Sequence, residues 1–327
     1  MIIRPYKEPV VNRETKLTLT GKETPLMEQF FTQLTNGLAV GGIYALIALG
    51  YTMVYGVLKL INFAHGDLFS IGAYLGLTLL VSLGLTTHVG GVVGLLLLAV
   101  MVMGLVGVIG ILLDRAAYKP LRTSPRLSAV VSALGASIVF SNTLMLVYGP
   151  GLKVYPHGLL PSQVLYIFGL PVPVMRIIIL ATSLVLMIGL YVFIQKTRTG
   201  TAIRAAAIDQ DAARLMGINV DRVIMLVFFI GPALGGAAGL MVGLHYGQIS
   251  FSMGWIYGLK AFTAAILGGI GNIPGAMLGG LLLGVIESMG AAYISNAWKD
   301  AIAFFVLILI LIVRPTGLLG ERVAEKI

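Results

Sequence analysis

The 327-residue chain has no cysteine, which excludes disulfides and thiolate metal sites. Charge is scarce: 11% of residues are Asp, Glu, Lys or Arg, 58% are hydrophobic, and mean hydropathy is +0.97. That balance excludes an ordinary soluble domain and marks an integral membrane protein. Acids are scarcer than bases, 13 against 22 Lys and Arg, for a formal net charge of +9. The basic residues fall in short links between apolar runs, so the excess reads as membrane topology, and no nucleic-acid partner is expected. His65, His88, His157 and His245 stand singly, without metal-ligand spacing, so neither a metal nor a cofactor is expected. The only Gly-Lys pair is Gly21-Lys22, outside any phosphate-binding loop, and H-E-x-x-H and G-x-S-x-G are missing. Enzyme chemistry, including ATP hydrolysis, is not expected of this chain.

What the chain has is apolar runs: roughly 28 to 57, 66 to 86, 90 to 113, 127 to 148, 174 to 195, 223 to 246, 259 to 272, 275 to 295 and 299 to 314. With about 20 residues needed per crossing, these predict an all-α polytopic bundle of about eight or nine spans, some broken or re-entrant. The expected organisation is a polar tail over 1–25, a membrane domain over 26–316 and a short cytoplasmic tail over 317–327. No apolar stretch in the first 25 residues resembles a signal-peptide core.

Two links are basic: one carries Arg115, Lys119, Arg122 and Arg126, the other Lys196, Arg198, Arg204, Arg214 and Arg222. Both belong in the cytoplasm. The links 149–173 and 247–258, with one Lys between them, belong outside. Three full crossings before Arg115 would leave the basic N-terminal tail outside. Either that tail is an exception or an early segment fails to cross.

Four polar or glycine-rich places invite function. The string INFAHGD puts Asn62, His65, Gly66 and Asp67 inside an apolar region. Asp67 as a cap on the following helix, at a helix break that Asn62 and Gly66 ease, is the first reading. Lining of a substrate path and a proton relay at His65 are the others. In AAILGGIGNIPGAMLGGLLLG, Gly268, Gly269 and Gly271 precede Pro274, and Gly271, Gly275 and Gly279 repeat every four residues, as do Gly280 and Gly284. Close helix packing, or a hinge where Pro274 interrupts a helix, accounts for this composition. Glu287 is an acid in an apolar span and needs a partner, for which Lys59 or Lys260 is available. The link from about 196 to 222, TGTAIRAAAIDQDAARLMGINV at its centre, predicts a short amphipathic helix with Arg204, Asp209, Asp211 and Arg214 on a charged face and Gly217 as its stop. It either lies at the headgroup boundary through Ile203, Ile208, Leu215 and Met216 or docks a cytoplasmic partner.

Taken together, GGIYALIALGYTMVYGVLKLINFAHGD with IGAY, RAAAIDQDAARLMGINVDRVI, LKAFTAAILGGIGNIPGAMLGG and RPTGLLG resemble the LivH-type permease subunits of bacterial branched-chain amino acid ABC transporters. The resemblance runs from about Gly37 to Gly320. It implies an inner-membrane importer subunit working with two cytoplasmic ATPases, a second related permease and a periplasmic binding protein, in membrane lipid. It also implies that 205–215 is the coupling segment that docks an ATPase. Permeases for urea, short amides or other amino acids share these motifs. A self-powered carrier with His65, Asp67 and Glu287 as ion ligands is the rival from another class.

Overall fold

The computed structural model describes residues 26–84, 91–122, 124–156, 164–167 and 170–320. The N-terminal tail, His88, His157 and the residues after Gly320, among them Arg322 and Lys326, lie outside the described residues.

The apolar runs fold as helices α1 (Leu26–Leu58), α2 (His65–Ser82), α3 (Gly91–Leu113), α4 (Arg126–Tyr148) and α5 (Val174–Lys196). The polar link forms α6 (Arg198–Ile208) and α7 (Gln210–Leu215), and the chain closes with α8 (Val220–Tyr246), α9 (Met253–Gly268), α10 (Ile273–Tyr293) and α11 (Lys299–Val313). Among the described residues, seven helical segments are long and apolar enough to cross a membrane. The other two apolar helices, α2 and α9, have 18 and 16 residues.

Burial sorts the helices into a centre and a rim. The α1 and α8 spans are 94% and 78% buried, whereas the spans containing α4 and α11 are 17% and 6% buried. Outward-facing residues such as Leu146, Val185 and Ile312 give the rim an apolar surface that suits lipid. Glycine seams let the central helices approach. A Cβ on Gly284 would strike the Gly41 backbone, one on Gly280 the Ala45 backbone, and one on Gly72 the Gly236 backbone. Helices in hydrocarbon gain little from the hydrophobic effect, so association draws on this close van der Waals packing.

The links fix the ends of the bundle. The Gln210 side chain donates to the Val57 carbonyl at 2.8 Å, which brings the end of α1 to α7. Arg122 bonds Asp221 at 2.6 Å, joining the first basic link to the start of α8. These basic links therefore share one end, the cytoplasmic one by the positive-inside rule. Leu26 begins at the opposite end, together with the short strands β1 (Lys153–Val154) and β4 (Gln248–Ile249), which pair antiparallel. Between them in sequence, β2 (Val164–Ile167) and β3 (Leu170–Pro173) form a hairpin. Tyr155, beside this outer ribbon, donates its hydroxyl to the Ala73 carbonyl, and burial raises the pKa of that hydroxyl so that it stays a donor.

The parity conflict resolves in the return from α1. Residues 59–64 are non-helical, and α2 starts inside the bundle, with His65 against Gly50 and near Gly235. Gly50 lies eight residues before the end of α1, about 12 Å inside. The first three apolar runs therefore all traverse, with α2 helical for only part of its course.

Gly284→Val should wedge α1 from α10 and destabilise the protein by more than about 2 kcal/mol. Gly135→Ala, at a site with nothing within 4 Å of the new methyl, should be neutral or stabilising by up to about 1 kcal/mol. Thermal unfolding of the purified protein in detergent checks both.

Candidate functional site: paired helix starts, a buried charge cluster and a cytoplasmic elbow

A helix that begins inside a membrane protein exposes unpaired backbone N–H groups, and something must accept from them. At α2 that acceptor is Asn62, whose Oδ1 takes the Ala64 N–H at 3.1 Å and the Tyr118 hydroxyl at 2.8 Å. The Asn62 carbonyl takes the His65 N–H at 3.1 Å. Asp67 lies in the first turn but does not cap it as the sequence suggested; its carboxylate accepts from the Ser137 hydroxyl on α4. Asn62 lies before the helix and reaches forward to the N–H of Ala64, the residue that precedes α2, whereas Asp67 is already within the turn. His65 is fully enclosed, edge-on to Tyr51 with centroids 4.8 Å apart.

The start of α9 meets that of α2. Gly66 lies against Gly254 and Gly258 so closely that a Cβ on any of the three would strike or crowd backbone of the facing helix, and Tyr257 stacks on Phe69 at 5.1 Å. Two partial helices thus overlap antiparallel at their first turns, a construction that only small residues allow. Asn62, His65 and Asp67 are all buried, so in this conformation the junction is sealed by protein.

The α9–α10 turn corrects another expectation. Pro274 does not interrupt a helix; it occupies the first turn of α10, where a missing N–H costs nothing, and Asn272 caps that turn through the Gly275 N–H at 2.9 Å. Gly269 and Gly271 have φ of +105° and +96°, the left-handed region that favours glycine. Backbone bonds from Leu318 to Leu267 and from Leu319 to Gly268 fold the RPTGLLG string onto this turn.

Glu287 lies on α10, and its partner is Lys260, not Lys59. Lys260 Nζ is 2.8 Å from Glu287 Oε1 and 2.6 Å from Asp300 Oδ1 at the start of α11, while Tyr44 of α1 donates to Glu287 Oε2 at 2.8 Å. The ammonium thus ties together three helices, and the Tyr44 hydroxyl adds α1 as a fourth. Beside it opens a cavity of about 340 Å³, bordered by Asn36, Val40, Glu287, Asn296 and Lys299. Nothing in the sequence flagged Tyr44, Ser137, Tyr118 or Asp300, because each meets its partner from another helix.

At the cytoplasmic end the predicted single helix is two. Asp209 has extended backbone (φ −152°, ψ 114°), and its Oδ1 accepts from the N–H groups of Asp211 and Ala212 at 2.9 and 3.0 Å, ending α6 and starting α7. Arg204 bonds the Ile194 carbonyl and braces α6 on the end of α5. Arg214 pairs with Asp211 at 2.6 Å in the open, an exposed pair worth about 0–1 kcal/mol. Gly217, with φ +83°, closes α7 while the Ile218 N–H returns to the Ala213 carbonyl. Ile203 faces inward, but Ile208, Leu215 and Met216 are 87%, 88% and 83% exposed, forming an apolar tip on the elbow.

Lys260→Met should strand two carboxylates and cost about 3–5 kcal/mol, whereas Lys260→Met with Glu287→Met and Asp300→Asn should recover much of that loss. Thermal stability of the single and triple variants measures the difference. Asn62→Ala should cost about 1–3 kcal/mol by releasing Ala64 N–H and Tyr118, and Tyr118→Phe less, by the same measurement.

Comparison with known proteins agrees with this architecture. Residues 33–311 match the family model for the permease component of branched-chain amino acid transport systems. The high-affinity branched-chain amino acid transport system permease protein BraD of Pseudomonas aeruginosa is 44% identical over 312 residues, 93% of this chain and 100% of the relative. The corresponding permease protein LivH of Escherichia coli K12 is 43% identical over 307 residues, 91% of this chain and 98% of the relative. The probable permease LivH of Methanocaldococcus jannaschii is 28% identical over 300 residues, 88% of this chain and 91% of the relative. No solved structure matches the chain. With its helices broken inside the bundle and its match running through almost every span, the chain belongs to the family of branched-chain amino acid transport system permease components.

Proposed function

We propose that the protein is a membrane-embedded permease subunit of a binding-protein-dependent ABC importer in the bacterial inner membrane, with branched-chain amino acids as its substrates. Membership of a permease family over nearly the full length carries this reading. Two cytoplasmic ATPases supply the energy, a second related permease completes the pathway, and a periplasmic binding protein delivers the substrate.

The elbow of α6 and α7 is the coupling element. Its outer tip exposes Ile208, Leu215 and Met216, and a protein partner would cover that apolar surface. Its inner side is braced on the bundle through Arg204 to Ile194 and Gln210 to Val57. Force applied at the tip therefore reaches α5 and α1 directly. From α1 it passes along the glycine seam to α10, and through Gly50 and Tyr51 to His65 and the overlapped starts of α2 and α9. Sliding those starts apart is the motion that would open a path, and it requires no helix to unfold, because residues 59–64 and 269–272 are already non-helical. The ion-coupled carrier is the weaker reading, because Glu287 already holds a resident cation, Lys260, and Asp67 accepts from Ser137.

Ile208→Asn combined with Leu215→Asn should leave folding intact, since both side chains are exposed, while ATPase co-purification and ATP-dependent leucine uptake fall at least tenfold. Unchanged recruitment and uptake would remove the elbow from the coupling route. Leucine uptake by the isolated chain on an ion gradient alone would overturn the importer reading itself.

A further inference from the structure

The cavity beside Glu287 is a vestibule at the outer end of the bundle, walled by the first turns of α1, the last turns of α10 and the start of α11. At about 340 Å³ it falls at the lower end of the range of small-molecule sites. Its lining includes one carboxylate, Glu287, and one ammonium, Lys299. Lys260, with a side chain only 4% exposed, carries one positive charge shared between two carboxylates, Glu287 and Asp300, so the cluster keeps one negative charge in excess. Glu287 lines the cavity, and each of its oxygens, though bonded to Lys260 or Tyr44, can accept a further hydrogen bond. A carboxylate oxygen with a free lone pair at a cavity wall can accept from a cation that donates. Lys299 also lines the cavity, with Asn36 and Asn296 as neutral donors and Val40, Ala291 and Ala292 as apolar wall. A carboxylate acceptor, an ammonium donor and a small apolar wall in one cavity match the three parts of a zwitterionic amino acid with an apolar side chain.

We infer that this vestibule is a low-affinity amino acid site within the permease, holding the substrate ammonium on Glu287 and its carboxylate on Lys299, with the side chain against Val40 and the alanines of α10. The inference rests on the proposed amino acid substrate and adds to it a place of recognition in this chain, separate from the binding protein. It also gives the buried charge cluster a use: Lys260 and Tyr44 hold the Glu287 carboxylate in one orientation, facing the incoming ammonium.

The test uses the purified permease–ATPase complex without binding protein, and measures equilibrium binding of tritiated leucine with two competitors. Leucinamide keeps the ammonium and loses the carboxylate; 4-methylpentanoate keeps the carboxylate and loses the ammonium. Saturable leucine binding is expected in the unmodified complex, with 4-methylpentanoate competing at least tenfold less well than leucine. Lys299→Gln, at the half-buried rim, should weaken leucine at least tenfold and leave leucinamide within twofold. Glu287→Gln, checked for folding by thermal stability, should weaken both. No saturable binding in the unmodified complex, or leucine binding unchanged in Lys299→Gln, overturns the site. Binding-protein-dependent leucine uptake in proteoliposomes separates the two levels: if it persists while the site predictions fail, only the vestibule is lost, and if leucine is not taken up at all, the proposed substrate is lost with it.

Discussion

Hydrocarbon offers no water to a backbone N–H or C=O, and the rest of this molecule depends on that constraint. A helix can stop or start inside the bundle only where protein supplies every missing partner and leaves no gap for lipid. Asn62 meets part of that need at the start of α2, accepting from one backbone and one tyrosine donor through a single oxygen. Tight contact between Gly66, Gly254 and Gly258 meets the packing requirement. The central position of α1 and α8 follows, because the interruptions must be enclosed by long, unbroken helices.

The charged groups obey the same constraint. Lys260, Glu287 and Asp300 are tolerable near the core because each faces a counter-charge, and Tyr44 donates to the second Glu287 oxygen. At the cytoplasmic end, where water is available, pairs such as Asp211–Arg214 hold little and the apolar tip of the elbow is the more informative feature. Buried charge therefore marks the interior of the bundle and exposed apolar surface marks its rim and the tip of the elbow, the reverse of a soluble protein's pattern.

Much of the fold was legible in order and length. The apolar runs correspond to α1–α5 and α8–α11 within a few residues, apart from the start of α9, which lies earlier, at Met253. The string INFAHGD located the break before α2, whereas GGIGNIPGAMLGG marked the turn between α9 and α10, and the start of α9 inside the bundle was not legible in a stretch that reads as an outer link. The details of those interruptions were less legible. Asp67 has the residue type of a cap but stands within the first turn, and Pro274 has the residue type of a break but stands where a helix accepts it. In both, a shift of a few positions along the chain separates one role from another. The split of α6 from α7 had a local signal in Asp209, a good N-cap inside an alanine-rich stretch whose helix propensity suggested continuity.

By itself, the sequence determined that the chain lives in a membrane, which links are basic, where the break before α2 lies and which family it resembles. These follow from hydropathy, charge asymmetry and short strings, all local along the chain. Only the tertiary structure decided that Lys260 and not Lys59 answers Glu287, that Ser137 and Tyr118 secure the break from 70 and 56 residues away, and that Gly37 and Gly41 of α1 form the other half of the α10 seam. Those pairings depend on which helix faces meet, and in an almost uniformly apolar chain the hydrophobic pattern does not say which face a helix presents to protein and which to lipid.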